Sequence, residues 1–213
     1  MLAITGGKGG TGKTTTTLAL ARALAATGTA VTCVDADWDL PDLGALAGGP
    51  RRCSAAADTG PPHEATFTAP DADGVEILPA PADPMARDPE RRLRAVAGGV
   101  DRETVVLCPA GTAPDAVAPL RVATAAILVT EPCAASLRDA ARTAAMARAV
   151  GTRVAGAVVT NARFVPDGVE AVLGCQVLAC VPYADSPLDS ETTAAAYRDV
   201  ATAVRRPDEK IHH

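Results

Sequence analysis

Nine consecutive residues, Gly6-Gly7-Lys8-Gly9-Gly10-Thr11-Gly12-Lys13-Thr14, carry chemistry that the rest of the chain must position. A short apolar segment, Met1 to Ile4, leads in, and Thr15 to Leu24 follows with helical apolar spacing. Strand, glycine-rich turn and helix is the setting in which such a run binds phosphate. The glycines let the backbone curl until its N–H groups face one point. The N-terminus of the following helix adds its partial positive charge there. On this pattern Gly7, Gly9, Gly10, Thr11, Gly12 and Thr15 line a phosphate group. Lys13 reaches the β- and γ-phosphates, and the Thr14 hydroxyl ligates Mg2+. The plainer alternative is a flexible Gly/Thr turn before a helix. A chance match to Lys-Gly-Gly-x-Gly-Lys-Thr has odds of roughly one in 10⁵ for a chain of this length.

Lys8 sets this loop apart. One lysine suffices for the phosphates of an ordinary loop, and the sequence offers a second one no obvious partner in its own site. Lys8 resembles the signature lysine of the deviant Walker A motif, the mark of the ParA/MinD family of ATPases. The resemblance implies two subunits that sandwich two ATP molecules, with Lys8 crossing to the partner's nucleotide as a positive finger supplied in trans. It implies an ATP-dependent homodimer, with Lys8 and Lys13 both acting in catalysis. The plainer alternative for Lys8 is a solvated surface lysine.

Two carboxylates, Asp35 and Asp37, stand just past the apolar run Val31-Thr32-Cys33-Val34. Acidic groups there can hold the water shell of Mg2+ or position an attacking water. The continuation Trp38-Asp39-Leu40-Pro41-Asp42-Leu43 resembles the first switch segment of MinD-like proteins. That match implies Asp35 near the metal and Asp37 as the catalytic residue that orients the water. Val105-Val106-Leu107-Cys108-Pro109-Ala110-Gly111 resembles the second switch, which in the family reads apolar-apolar-Asp-x-Pro-x-Gly. Here Leu107 stands in place of the aspartate, so the metal site is weakened and hydrolysis is expected to be slow. Gly111 keeps the backbone N–H that senses a γ-phosphate. Leu128 to Ala140, with Glu131, Pro132, Ser136 and Arg138, resembles a MinD-like segment after the fifth strand and places the chain nearer MinD than ParA. Asn161 ends another apolar run, and a side-chain amide offers the paired donor and acceptor that match adenine. It corresponds to the asparagine that contacts adenine in this family. Pro182 and Tyr183 fall where the next base-flanking loop begins, although the usual Pro-x-Asp there reads Pro182-Tyr183-Ala184-Asp185.

The elements that must hold these residues are legible as alternating runs. Strands are expected at Leu2–Thr5, Ala30–Val34, Val75–Pro79, Thr104–Cys108, Ala125–Thr130, Val154–Thr160 and Gln176–Val181. Helices are expected at Thr14–Thr27, Pro89–Gly98, Ala134–Val150 and Ser190–Arg205, with shorter ones at Pro41–Leu46, Asp115–Val122 and Asp167–Leu173. The strand runs are continuously apolar rather than alternating, as when both sheet faces are covered by helices. This is a doubly wound α/β pattern with a mostly parallel sheet, whose ligands gather at the carboxyl ends of the strands. The chain reads as one domain over residues 1–205. A Pro-, Gly- and Asp-rich surface excursion over 48–74 shows little periodicity and is expected to be mobile. A short tail at 206–213 ends in Ile211-His212-His213 and reads as a possible tag remnant.

Composition narrows the function further. The chain has 213 residues, 48% hydrophobic and only 2% aromatic, so its core rests on Ala, Val and Leu. A net charge of −5 argues against a dominant electrostatic nucleic-acid binder, which leaves Arg51 and Arg52, or Arg205 and Arg206, as the local patches for weak non-specific DNA contact. The six cysteines form no Cys-x-x-Cys pair. They read as buried thiols in a reducing cytoplasm rather than a zinc or redox site. No apolar run approaches a membrane span. The last helix offers only the small stripe Tyr197, Val200, Ala201 and Val204, which is expected to pack on the body, so direct membrane binding is not expected. The resulting expectation is a cytoplasmic MinD/ParA-like ATPase with ATP and Mg2+ as cofactors and a regulatory or cargo protein as partner. One alternative is a non-hydrolysing adaptor dimer, marked by Leu107. A lesser one is a metal or iron–sulphur carrier on the same fold.

Overall fold

The computed structural model describes residues 1–98 and 102–205. The tail at 206–213, with Arg206 and the terminal histidines, lies outside the described residues. The described elements run β1 (Leu2–Thr5), α1 (Lys13–Ala25), β2 (Val31–Asp35), α2 (Leu43–Leu46), β3 (Phe67–Thr68), β4 (Val75–Leu78), α3 (Pro89–Ala97) and β5 (Glu103–Leu107). They continue with α4 (Pro114–Val122), β6 (Ala125–Thr130), α5 (Ala134–Ala149), β7 (Arg153–Thr160), α6 (Val169–Leu173), β8 (Val177–Val181) and α7 (Glu191–Arg205). Every expected strand and helix is present, and its ends fall within two residues of the expected ones.

The strands form one sheet in the order β3-β4-β2-β5-β1-β6-β7-β8, parallel throughout except for β3, which runs antiparallel to β4. Alternate residues of each strand face opposite helical layers. Ile4, Cys33, Leu107, Ile127 and Val158 pack with Leu18, Leu20 and Leu24 of α1 and with Tyr197 and Val200 of α7. Val34, Leu78 and Val106 pack under Leu93 and Val96 of α3. Leu128 and Val159 pack with Ala140 and Ala144 of α5 and Leu173 of α6. Burying each Leu, Ile or Val in these layers contributes roughly 1.5–3 kcal/mol. Aliphatic side chains fill most of these layers, with Tyr197 as the one large aromatic named among them. The stripe on α7 packs inward, as expected. Among the described residues no helix is long and apolar enough to cross a membrane.

Strand β1 lies between β5 and β6, so the chain leaves it toward one side of the sheet and later fills the other. That reversal opens a crevice beyond the carboxyl end of β1, where the loop before α1 lies.

The excursion over 48–74 contains two 3₁₀ turns, Ala57–Thr59 and Pro62–Ala65, besides β3. Asp58 ties it down: only 4% exposed, it accepts from Arg92 Nη1 at 2.7 Å, Arg87 Nε at 3.2 Å and the Ala82 N–H at 3.2 Å. Its polar composition conceals a buried ion pair with a long sequence separation. Arg51 and Arg52 both make local bonds, although the Arg51 side chain stays 60% exposed. Arg51 bonds to Pro41 O and pairs with Asp42, and Arg52 bonds to the carbonyls of Trp38 and Pro81.

Candidate nucleotide-binding site

Four of the loop's glycines have identifiable physical reasons. Gly10 and Gly12 adopt φ of 77° and 86°, the left-handed region that side chains disfavour. A Cβ on Gly7 would fall 2.3 Å from Asp139 of α5, and one on Gly6 would fall 2.5 Å from Val129 O. These two glycines allow close packing rather than curvature. At Gly9 and Gly10 a Cβ would meet nothing within 4 Å, so this rim of the loop faces open space. The loop is also stitched to β7: the Thr160 hydroxyl donates to Thr11 O at 2.8 Å. Thr14 and Thr15, half-buried, open α1 just behind it.

Lys13 is 6% exposed, and its Nζ donates to Lys8 O at 3.2 Å. Burial pulls its pKa below the ordinary lysine value, partly offset by Asp37 and Cys108. The Asp37 carboxyl is raised, chiefly by burial, while the Leu40 N–H and Lys13 oppose the shift. The structure thus brings Lys13 and Asp37 to one place. Trp38 anchors the same segment by donating from Nε1 to Asp35 O at 3.2 Å.

Asp35 is buried at the end of β2, and burial raises its pKa to about 7, against the pull of two backbone N–H groups. Those groups belong to Asp37, at 3.0 Å from Oδ1, and Leu43, at 3.1 Å from Oδ2. Its carboxylate therefore shapes the segment between β2 and α2. Leu107, 1% exposed, stands beside Asp35 in the register of β2 with β5. Gly111, at φ 89°, donates its N–H to Gly6 O at 3.1 Å, so that amide is committed within the protein and would have to leave this bond to meet a phosphate.

Lys8 departs from expectation, because it has a partner in its own chain. Its Nζ lies 3.2 Å from Glu131 Oε2, and Asn161 Nδ2 donates to Glu131 Oε1 at 3.1 Å. These hydrogen bonds hold the Glu131 carboxyl below the usual range, the Asn161 bond contributing most. Asn161 sits at φ 54°, a left-handed position that asparagine tolerates. Ser136 fixes Glu131 in turn: its buried hydroxyl accepts the Glu131 N–H at 3.0 Å and meets Thr130 Oγ1 at 2.9 Å. Asn161 borders a recess shared with Gly12, Thr15, Pro182, Tyr183 and Tyr197. Tyr183 is 72% exposed there, and its hydroxyl bonds to Asp185 at 2.9 Å.

Sequence reasoning gave no site role to Glu131, Thr160 or Tyr197. A positional rule could have found two of them, since Glu131 and Thr160 stand at the carboxyl ends of β6 and β7. Cys33, Cys53 and Cys108 are buried, Cys175 and Cys180 are half-buried, and Cys133 is exposed; all six are free thiols. Among the described residues no three His, Cys, Asp or Glu side chains converge as a metal-binding group.

With this geometry in place, comparison with known proteins is informative. Residues 2–190 match the CobQ/CobB/MinD/ParA nucleotide binding domain. An uncharacterized ATP-binding protein of Methanocaldococcus jannaschii is 30% identical over 195 residues, covering 85% of this chain and 73% of that protein. The fold is similar to that of the septum site-determining protein MinD of Pyrococcus horikoshii, solved with Mg-ADP, at a TM-score of 0.83 and 24% identity, over 96% of this chain and 95% of the other. It is similar also to cobyrinic acid a,c-diamide synthase of Mycobacterium smegmatis, at a TM-score of 0.76 and 22% identity, over 98% of this chain and 94% of the other. From the loop geometry and the extent of the match, the chain belongs to the CobQ/CobB/MinD/ParA nucleotide-binding family and has the MinD/ParA P-loop fold.

Proposed function

We propose that residues 1–205 form one cytoplasmic ATPase domain that binds Mg-ATP, dimerises on it, and hydrolyses it slowly. The cycle serves as a switch in positioning or partitioning a cellular cargo. The observation that carries the reading is the loop between β1 and α1. It holds two left-handed glycines, a buried Lys13 whose charge and that of Asp37 influence one another, and a second lysine, Lys8, on its rim.

The residues fit a triphosphate well and Mg2+ in part. The open rim at Gly9 and Gly10 leaves the loop backbone accessible, and α1 begins directly behind it. For the metal, Thr14 supplies a hydroxyl, while both Asp35 oxygens already accept backbone N–H groups and Leu107 supplies nothing. Magnesium tolerates such a sparse protein shell because it keeps several waters. Bound there, Mg-ATP would supply the phosphoryl group and the charge neutralisation for its transfer. Lys13 holds its charge against the phosphates in a site from which burial has removed water. Asp37 orients the attacking water. Lys8 leaves Glu131 to reach the partner's nucleotide; that ion pair is partly exposed, so releasing it costs at most about 1 kcal/mol. The regulatory or cargo protein then recognises the dimer.

Leu107 favours a second reading. A leucine in register with Asp35, where the family carries an aspartate, would suit a nucleotide-bound adaptor with almost no turnover. Mg-ATP turnover by the purified protein separates the two, with Lys13→Ala as blank and Leu107→Asp in parallel. Turnover above the blank is expected. A native chain no faster than Lys13→Ala, with activity appearing only in Leu107→Asp, would establish the adaptor instead.

A further inference from the structure

Glu131 joins two residues that serve different ends of a nucleotide, Lys8 on the phosphate loop and Asn161 at the recess beside Pro182 and Tyr183. A carboxylate has only acceptors to offer. Beside it, the Asn161 amide has one favourable orientation. Nδ2 turns toward Glu131 Oε1, at 3.1 Å, and Oδ1 turns away. The reverse orientation would set an amide oxygen against a charged carboxylate oxygen. The backbones of both partners are held in place. The Asn161 backbone is fixed at φ 54° between β7 and the bond from Ala162 N–H to Val181 O at 3.2 Å. The Glu131 backbone is fixed by Ser136 at 3.0 Å.

We propose that Glu131 is a specificity-determining positioning residue: by pinning the Asn161 amide it presents Oδ1 as an acceptor to the base, and so selects a purine with an amine at its 6-position over one with a carbonyl there. The inference rests on the nucleotide reading above and names how that site tells bases apart. An amine donates to Oδ1. A 6-keto oxygen placed there would face the amide oxygen and leave both acceptors unsatisfied, a mismatch that a polar site rejects strongly. Lys8 holds the second carboxylate oxygen before it leaves for the partner's nucleotide, and the Asn161 bond, the larger cause of the lowered Glu131 pKa, does not depend on it.

The test is competition binding of ATP and inosine triphosphate, which differ at the 6-position, to the full chain and to Glu131→Gln and Glu131→Ala. The glutamine of the first variant is nearly isosteric with the native side chain, yet its amide can donate as well as accept, which frees Asn161 to turn over. The wild type is expected to prefer ATP by at least about tenfold, and both variants to lose about tenfold of that preference. General loosening of the site would weaken both nucleotides together and leave the ratio alone. ATP binding that depends on Lys13, with no base preference in the wild type or an unchanged ratio in the Glu131 variants, would overturn this inference and leave the nucleotide reading standing. ATP binding equally well to Lys13→Ala, or not at all to the wild type, would overturn both.

Discussion

Asp35 shows how one side chain serves the site at a cost to stability. Its folded pKa of about 7 lies above that of an unfolded aspartate, so the folded chain binds the extra proton between those two values. The contribution it makes to stability is therefore complete at acid pH and is lost as the pH rises through about 7. Asp35→Asn should remove this pH dependence. The melting temperature of the variant, compared with the wild type, should rise by roughly 4–8 °C on going from pH 5 to pH 8, the equivalent of roughly 2 kcal/mol. Thermal melts at the two pH values check this, and a constant difference between the proteins would contradict it. At this scale the sequence was legible where chemistry is local. Lys13, Thr14 and Asp37 were singled out as candidates from a loop and a strand end alone. The partner of Lys8 was not, because Glu131 is brought to it by the pairing of β1 with β6, which no local spacing reveals.

At the scale of elements, α7 is fastened to the loop helix by a buried contact between Tyr197 Oη and Thr16 Oγ1 at 2.6 Å. Tyr197→Phe leaves the Thr16 hydroxyl without its partner and should cost about 1–2 kcal/mol, seen as a lower denaturant midpoint at unchanged slope. An unshifted midpoint would show that the contact is dispensable. Strand β7 carries a second local requirement. Its register against β6 slips beside Gly156, whose φ is 156°, and a Cβ there would lie 2.6 Å from Leu178 Cγ and 3.0 Å from Gln176 O. Gly156→Ala should destabilise by about 1–3 kcal/mol, whereas Gly9→Ala, whose Cβ meets nothing, should leave the fold intact. Equal melting of the two variants would contradict the packing argument. The strands were legible because continuous apolar runs bounded by turn residues have few other uses in a chain of this length. Strand β3 was missed because it consists of Phe67 and Thr68 alone and is defined by its partner β4 rather than by any period of its own.

Across the whole molecule, two long-range arrangements decide shape and behaviour. Asp58 holds the excursion over 48–74 against α3, and removing it leaves Arg92, whose side chain is 8% exposed, as a buried charge without its carboxylate. Asp58→Ala should cost about 3–5 kcal/mol, and a second change, Arg92→Leu, should restore part of it. A double variant no more stable than Asp58→Ala would show that the pair is not the cause. The second arrangement is the rim of the phosphate loop, where Lys8 rests on Glu131 in the isolated chain and, in the proposed cycle, crosses to a second copy once ATP is bound. The sequence carried that expectation through the resemblance of Lys8 to the signature lysine, without a sign of its in-chain partner Glu131. Sedimentation of the wild type and Lys8→Ala, with and without Mg-ATP, tests it most directly. The account predicts that Mg-ATP shifts the wild type to twice the monomer mass and leaves Lys8→Ala monomeric. A wild type that binds ATP yet stays monomeric, or a Lys8→Ala variant that dimerises as readily, would contradict it.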